Sequence, residues 1–265
     1  QEYLNRIKQT SPPELVHRLK RLHRIQKLRA VATNGGVSFA VPPLSRQRID
    51  SLVLPDLYFN AKIGPGGNTG ASPSAFFQNA FSPGTFDKQD ASIYFADVAP
   101  ANGNHDIRQV WEPARLQALL EILHAPAPHP DEALQRQSEL LVKEHLFGWL
   151  RANPFLMGHH WMSPMECGLR IPVFVYALKK LPNLEDEETD VIGRGIYEHA
   201  WWVSRNLSLY ASLGNHTICE ATGLIFAGAL FGDKGEASEW LARGIDLLES
   251  ELDHQILDDG GPAEQ

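Results

Sequence analysis

The sequence is poor in cysteine, in long apolar runs, in net positive charge and in strand patterns. Its two cysteines, Cys167 and Cys219, lie far apart and form neither a CxxC pair nor a disulfide framework, so they say little about redox compartment. No uncharged apolar run approaches the roughly 18 residues that cross a bilayer, so no transmembrane segment is expected. The opening stretch, QEYLNRIKQTSPPELVHRL, has no apolar core of the signal-peptide kind, so the chain reads as soluble. A formal net charge of −8 argues against general nucleic-acid binding, which needs a broad positive surface to displace counterions. One stretch, SIYFADV, reads as a strand.

What is present is helical. With 43% hydrophobic residues among 265, the chain can bury a large core. Between Arg6 and Arg29, basic residues accompany Leu15, Leu19, Leu22 and Ile25 at helical spacing. That pattern fits an anion or membrane-surface contact, or more plainly a helix packed through its leucines with a solvated basic face. Residues 33 to 105 are dense in turn formers, and embedded aromatics, from Tyr58 to Tyr94 and Phe95, anchor this segment to a body. From Asp106 onward six helical patterns follow in series, separated by Pro, Gly or Asn breaks, with Pro172 expected to kink or break the third. The expected architecture is all-α, built from antiparallel helix pairs, with 1–105 as a basic helix and loop-rich segment packed on 106–265.

Three polar clusters stand out. In LGNHTICEATGLIF, Asn215 is placed to cap a helix, and His216 and Glu220, four residues apart, share a face on which the carboxylate can orient the imidazole. Amide, imidazole and free N–H groups at one helix start suit a carboxylate or an oxyanion. The plainer reading is a cap, a satisfied core histidine and a solvated glutamate. Metal binding is the weaker reading, since HxxxE supplies two ligands and no third is identifiable. In GHHWMSPMECGLR, Ser163 and Glu166 spell a capping box with Pro164 at the first helical position, while Glu166 and Arg170 form an i,i+4 pair. His160 and Trp161 stay unassigned by that architecture. In DIRQVWEPARLQAL, Trp111 and Arg115 precede a leucine stripe, where rings and guanidinium groups suit sugar acids or a helix seam equally.

Taken together, DIRQVWEPARLQAL, HHWMSPMECGLRIPVFVYALKKL, NLSLYASLGNHTICEATGLIFAGALF and QILDDGGPAEQ resemble the heparinase II/III family of polysaccharide lyases, with SPPELVHRLKRL a fainter match upstream. The resemblance implies an incomplete (α/α) toroid followed by a β-sandwich domain. It also implies β-elimination at a uronic acid, with Asn215 and His216 as catalytic residues and Glu220 orienting. Trp111, Arg115, His160, Trp161, Glu166 and Arg170 would then be substrate-binding. The expected partner is an acidic polysaccharide or oligosaccharide, with no nucleic acid, no cofactor or metal in this stretch, and a periplasmic or secreted location. The family's catalytic tyrosine follows a DGG…EQS motif; no tyrosine here matches it, so it is expected beyond Gln265, together with a second histidine.

Two other function classes compete. One is a polysaccharide-binding or export-associated protein that uses the toroid without turnover. The other is a glycoside hydrolase, with Glu166 and Glu220 as its two carboxylates. Because the substrate is a polyanion and the chain is acidic, the groove must concentrate Arg115, Arg170 and Arg205 against the global field.

Overall fold

The computed structural model describes residues 10–34, 36–55, 92–98, 106–123, 132–210, 214–257, 259–261 and 263. Regular structure among them is helical: α1 (Pro12–Thr33), α2 (Arg46–Ser51), α3 (Arg108–Ala114), α4 (Ala118–Leu123), α5 (Glu132–Ala152), α6 (Pro164–Lys180), α7 (Asp186–Arg205), α8 (Asn215–Phe231) and α9 (Ser238–Gln255). Short 3-10 turns at Phe95–Asp97, His159–Trp161 and Gly235–Ala237 join them. The described residues are all-α, and α8 packs on α6, α7 and α9, as expected of a toroid-like helical fold.

SIYFADV is not a strand. Tyr94 makes one antiparallel bridge to Met157, and the chain then turns into the 3-10 helix. The reason is burial: Tyr94 and Phe95 are both inside, at 2% and 5% exposure, whereas a half-buried strand alternates. Both rings do anchor this segment, Tyr94 through its hydroxyl on the Ile25 carbonyl at 2.8 Å. The other aromatics, between 58 and 86, lie outside the described residues, as do Arg6, Lys8 and Asp131.

Two helices depart from their patterns. The stretch from Asp106 breaks into α3 and α4 at Leu116, whose φ of 59° is left-handed while its side chain is 1% exposed. Burial of the leucine offsets the strain of that conformation, which for a residue with a Cβ costs on the order of 1–2 kcal/mol. Conversely, α6 runs unbroken through Pro172. Twelve of its seventeen residues are buried, and packing on most of its circumference holds the helix despite the lost N–H.

Helix α1 is seated differently from either expectation. Ser11 caps it and Pro12 opens it. Leu15, Leu19 and Leu22 remain 40%, 56% and 56% exposed. Contact with the body is made instead by Ile25, Leu28 and Ala32, and by Arg24, which donates to the Arg205 carbonyl at the end of α7. Its basic face therefore turns partly inward.

The crossing of α6 and α8 fixes the rest. A Cβ on Gly168 would stand 2.6 Å from the Cys219 carbonyl oxygen, and one on Gly223 would stand 2.8 Å from the Gly168 Cα. Only paired glycines allow backbones this close. The first turn of α6 is thereby brought against the first turns of α8.

Candidate active site at the start of α8

Gly214, not Asn215, caps α8. Its φ of 88° lies in the left-handed region, which lets the chain enter the helix sharply. Glu251 of α9 holds this entry by accepting the Gly214 N–H at 3.0 Å. A carboxylate there also complements the positive helix end. Asn215 becomes the first helical residue and is exposed, His216 beside it is half-buried, and neither side chain makes a hydrogen bond among the described residues.

Glu220 does not orient His216, nor is it solvated. It is 0% exposed and accepts both the Ser208 N–H at 2.8 Å and the Ser208 hydroxyl at 2.7 Å. Thr217 adds a hydroxyl bond to the Ser208 carbonyl at 3.3 Å. The loop after α7 is therefore clamped onto the first turns of α8. Burial pushes the Glu220 carboxyl up to about 7, against the Ser208 bonds and the nearby Arg21 guanidinium, which pull it down.

The second cluster divides. Ser163 sits at the N-cap but its side chain makes no capping bond, and the Glu166 side chain, the other half of a capping box, is engaged elsewhere. Arg115, at the C-terminal cap of α3, grips Glu166 with two parallel bonds of 2.8 Å each, Glu166 being 0% exposed and Arg115 23%. This pair, not the expected Glu166–Arg170 bridge, joins the clusters. The Glu166 bond also raises the Arg115 guanidinium above its ordinary value, with burial opposing. Trp111 adds a bond from its indole nitrogen to the His159 carbonyl at 3.0 Å.

Arg170 and Trp161 lie in the core. Arg170 is 0% exposed, donates through Nε to His199 Nε2 at 3.1 Å, and reaches the His160 carbonyl at 2.5 Å and the Cys167 sulfur at 3.3 Å. Its guanidinium also lies over the Trp149 ring at 4.8 Å. Since His199 Nε2 accepts from Arg170, its Nδ1 carries the proton and donates to the Gly195 carbonyl at 2.7 Å. Burial, then the Arg170 charge, hold His199 well below the usual imidazole range. Trp161 is 1% exposed, with its ring 4.4 Å from His199 and its carbonyl accepting the Trp202 indole at 3.1 Å. His160 is pushed down to about 3 by burial, Arg170 and His159, so it is neutral near pH 7 and cannot offset a substrate carboxylate.

The structure thus brings Arg115, Glu166, Cys219 and Glu220 together at the α6–α8 crossing, below a helix start that exposes Asn215 and His216. Cys219 and Arg115 are near enough for the cation to lower the thiol, although burial raises it more. Both cysteines are free thiols. Glu166 and Glu220 are each enclosed and fully occupied by partners, which removes the paired carboxylates a hydrolase needs. Among the described residues no group of three metal-ligating side chains occurs, and no helix is long and apolar enough to cross a membrane. Sequence reasoning missed Ser208 and Glu251, and it read Arg21 as part of a basic helix face without seeing its approach to Glu220. Each acts across long sequence separation, and no local pattern marks them.

Comparison with known proteins follows these same elements. A heparin-sulfate lyase of Bacteroides stercoris is 41% identical over 58 residues, which cover 22% of this chain and 9% of that enzyme. The match therefore spans less than a tenth of the relative's length. No solved structure matches the chain. The family description "Heparinase II/III N-terminus" covers residues 149–265, which include α6 to α9 and both Asn215 and His216. Over residues 149–265 the chain is similar to the N-terminal domain of the heparinase II/III family.

Proposed function

We propose that the protein is a polysaccharide lyase that cleaves a uronic-acid-containing polysaccharide by β-elimination at the start of α8. The observation that carries this reading is the pair of polar side chains, Asn215 and His216, which make no hydrogen bond among the described residues at a helix start whose neighbours Glu220 and Gly214 are held by Ser208 and Glu251. In β-elimination a base removes the C5 proton, the electron pair forms the C4–C5 double bond, and the C4–O bond breaks with a proton going to the leaving oxygen. Forming negative charge beside a carboxylate is the difficult step. The Asn215 amide would donate to the substrate carboxylate, and His216 would neutralise it or take the C5 proton.

The remaining groups position this pair. Glu220 and Ser208 fix the loop that faces the first turn, Glu251 fixes its entry, and Arg115–Glu166 holds α3 against α6. Arg115, partly exposed, and Trp111 are the substrate contacts this arrangement retains; Arg170, Trp161 and His160 act as packing. Residues 1–105 are taken as a helix-and-loop segment laid on the helical body of 106–265.

The test is the ultraviolet absorbance of the conjugated, unsaturated uronate on incubation with alginate, heparan sulfate and hyaluronan. New reducing ends without that absorbance would mean hydrolysis. Saturable binding with neither signal would favour a polysaccharide-binding role.

A further inference from the structure

A cavity of about 490 Å³ opens between α1, the end of α7 and the start of α9, and none of Asn215, His216, Trp111 or Arg115 lines it. Three guanidinium groups from three helices converge there: Arg24, Arg205 and Arg243. Arg205 is balanced, since it meets Glu236 at 2.8 Å and lies over the Trp201 ring at 4.2 Å. The other two are not. Arg24 spends a terminal nitrogen on the Arg205 backbone carbonyl and meets no carboxylate, and Arg243 makes no hydrogen bond or ion pair among the described residues.

Burial and the crowding of like charges act together here. Burial, then Arg205 and Arg21, hold the Arg24 guanidinium below its ordinary value. His17, on the cavity wall, is lowered by burial first and then by Arg21, Arg24 and Arg243, partly offset by the bond its ring donates to the Leu207 backbone carbonyl. The neutral form is therefore favoured, and its second ring nitrogen can hydrogen-bond a hydroxyl. A locally positive cavity persists in a chain of net charge −8.

Size and lining select the occupant. The volume lies within the roughly 300–1,000 Å³ typical of small-ligand sites. Trp240 supplies an aromatic wall, while Glu236 and Glu239 offer acceptors to hydroxyls and repel a multiply charged anion. What fits is a hydroxylated ring bearing one acid group.

We propose that this cavity is a second carbohydrate site, separate from the Asn215–His216 pair, in which Arg24 and Arg243 clamp the single carboxylate or sulfate ester of an acidic sugar unit. The shared chemistry is a monoanion on a pyranose, and the guanidinium fork matches either oxyanion. This assignment does not depend on turnover at α8, because occupancy is read by binding alone.

The experiment is a saturation-transfer NMR titration of the intact protein carrying Asn215→Ala and His216→Ala, with glucuronic acid, glucose 6-sulfate, glucose and inorganic sulfate as separate probes. Saturable binding of glucuronic acid or of glucose 6-sulfate is expected, the arm that binds identifying the acid group, with no binding of glucose. Arg24→Gln and Arg243→Gln should each weaken it at least tenfold. Arg243 is exposed and makes no bond, so Arg243→Gln leaves the fold intact even if Arg24→Gln does not. Absence of binding by both acidic sugars, binding of inorganic sulfate alone, or equal affinity in Arg243→Gln would overturn the proposal.

Discussion

The Arg115–Glu166 pair offers the most direct test of how the site is held. Arg115→Met removes both 2.8 Å bonds and leaves the Glu166 carboxylate, 0% exposed, with no counter-charge in its fork. Stranding one member of a buried pair costs roughly 3–5 kcal/mol. Arg115 is 23% exposed, so solvent already screens the pair and re-entering water relieves part of that cost; about 2–4 kcal/mol is the expected loss. At about 2–4 °C per kcal/mol for a chain of this size, the thermal midpoint should fall by roughly 5–15 °C. Glu166→Gln should cost less, about 1–3 kcal/mol, because the stranded arginine can reach solvent. The double variant Arg115→Met/Glu166→Gln buries no charge, so it should lose at least about 1 kcal/mol less than the sum of the single losses in a urea-melt double-mutant cycle. Single losses below about 0.5 kcal/mol that simply add would refute the reasoning, since they would mean that the carboxylate is solvated.

Other consequences follow from the same geometry. Glu220 has a folded-state value of about 7 against an ordinary 4.5, so the folded protein holds its proton more tightly, and its contribution is fully present below pH 4.5 and lost as pH rises through 7. At about 1.4 kcal/mol per pH unit, Glu220→Gln should gain about 3 kcal/mol relative to the wild type between pH 4.5 and 7.5, read from urea melts at each pH; a flat difference would contradict the burial. Gly168→Ala, with its Cβ facing the Cys219 carbonyl, should destabilise by about 2–4 kcal/mol, whereas Gly148→Ala in α5, where nothing lies within 4 Å, should stabilise by about 0.5–1 kcal/mol. Paired thermal melts of the two variants check this, and equal shifts would remove the close crossing from the account. Ser208→Ala should lower activity on acidic polysaccharide at least severalfold through KM or kcat while leaving Asn215 and His216 in place, since it frees the loop that Glu220 clamps; unchanged kinetics would separate that loop from the site.

Much of this architecture was legible because it is written in local patterns. The bounds of α6, α7 and α8 follow from apolar spacing, from Pro164 and from the breaks that flank them. What was not legible depends on partners distant in sequence. Glu166 has Arg170 four residues away, yet α3 brings Arg115 to it, and a buried carboxylate takes the bidentate partner over a neighbour engaged in the core. Glu220 similarly pairs with Ser208, which no i,i+4 rule selects. Arg170, Trp161 and His160 read as ligand contacts in the letters because buried and exposed polar groups share an alphabet. The leucines of α1 misled for the opposite reason: a helical stripe says which residues share a face and not which face meets the body.

The most direct measurement of the central claim is unsaturated-uronate absorbance from the intact wild-type protein, Asn215→Ala and His216→Ala on alginate, heparan sulfate and hyaluronan, with circular dichroism confirming that α8 is intact. The account predicts turnover of at least one of these polymers by the wild type and at least a hundredfold loss in each variant. Wild-type rates in either variant, or no absorbance from any polymer, would contradict it.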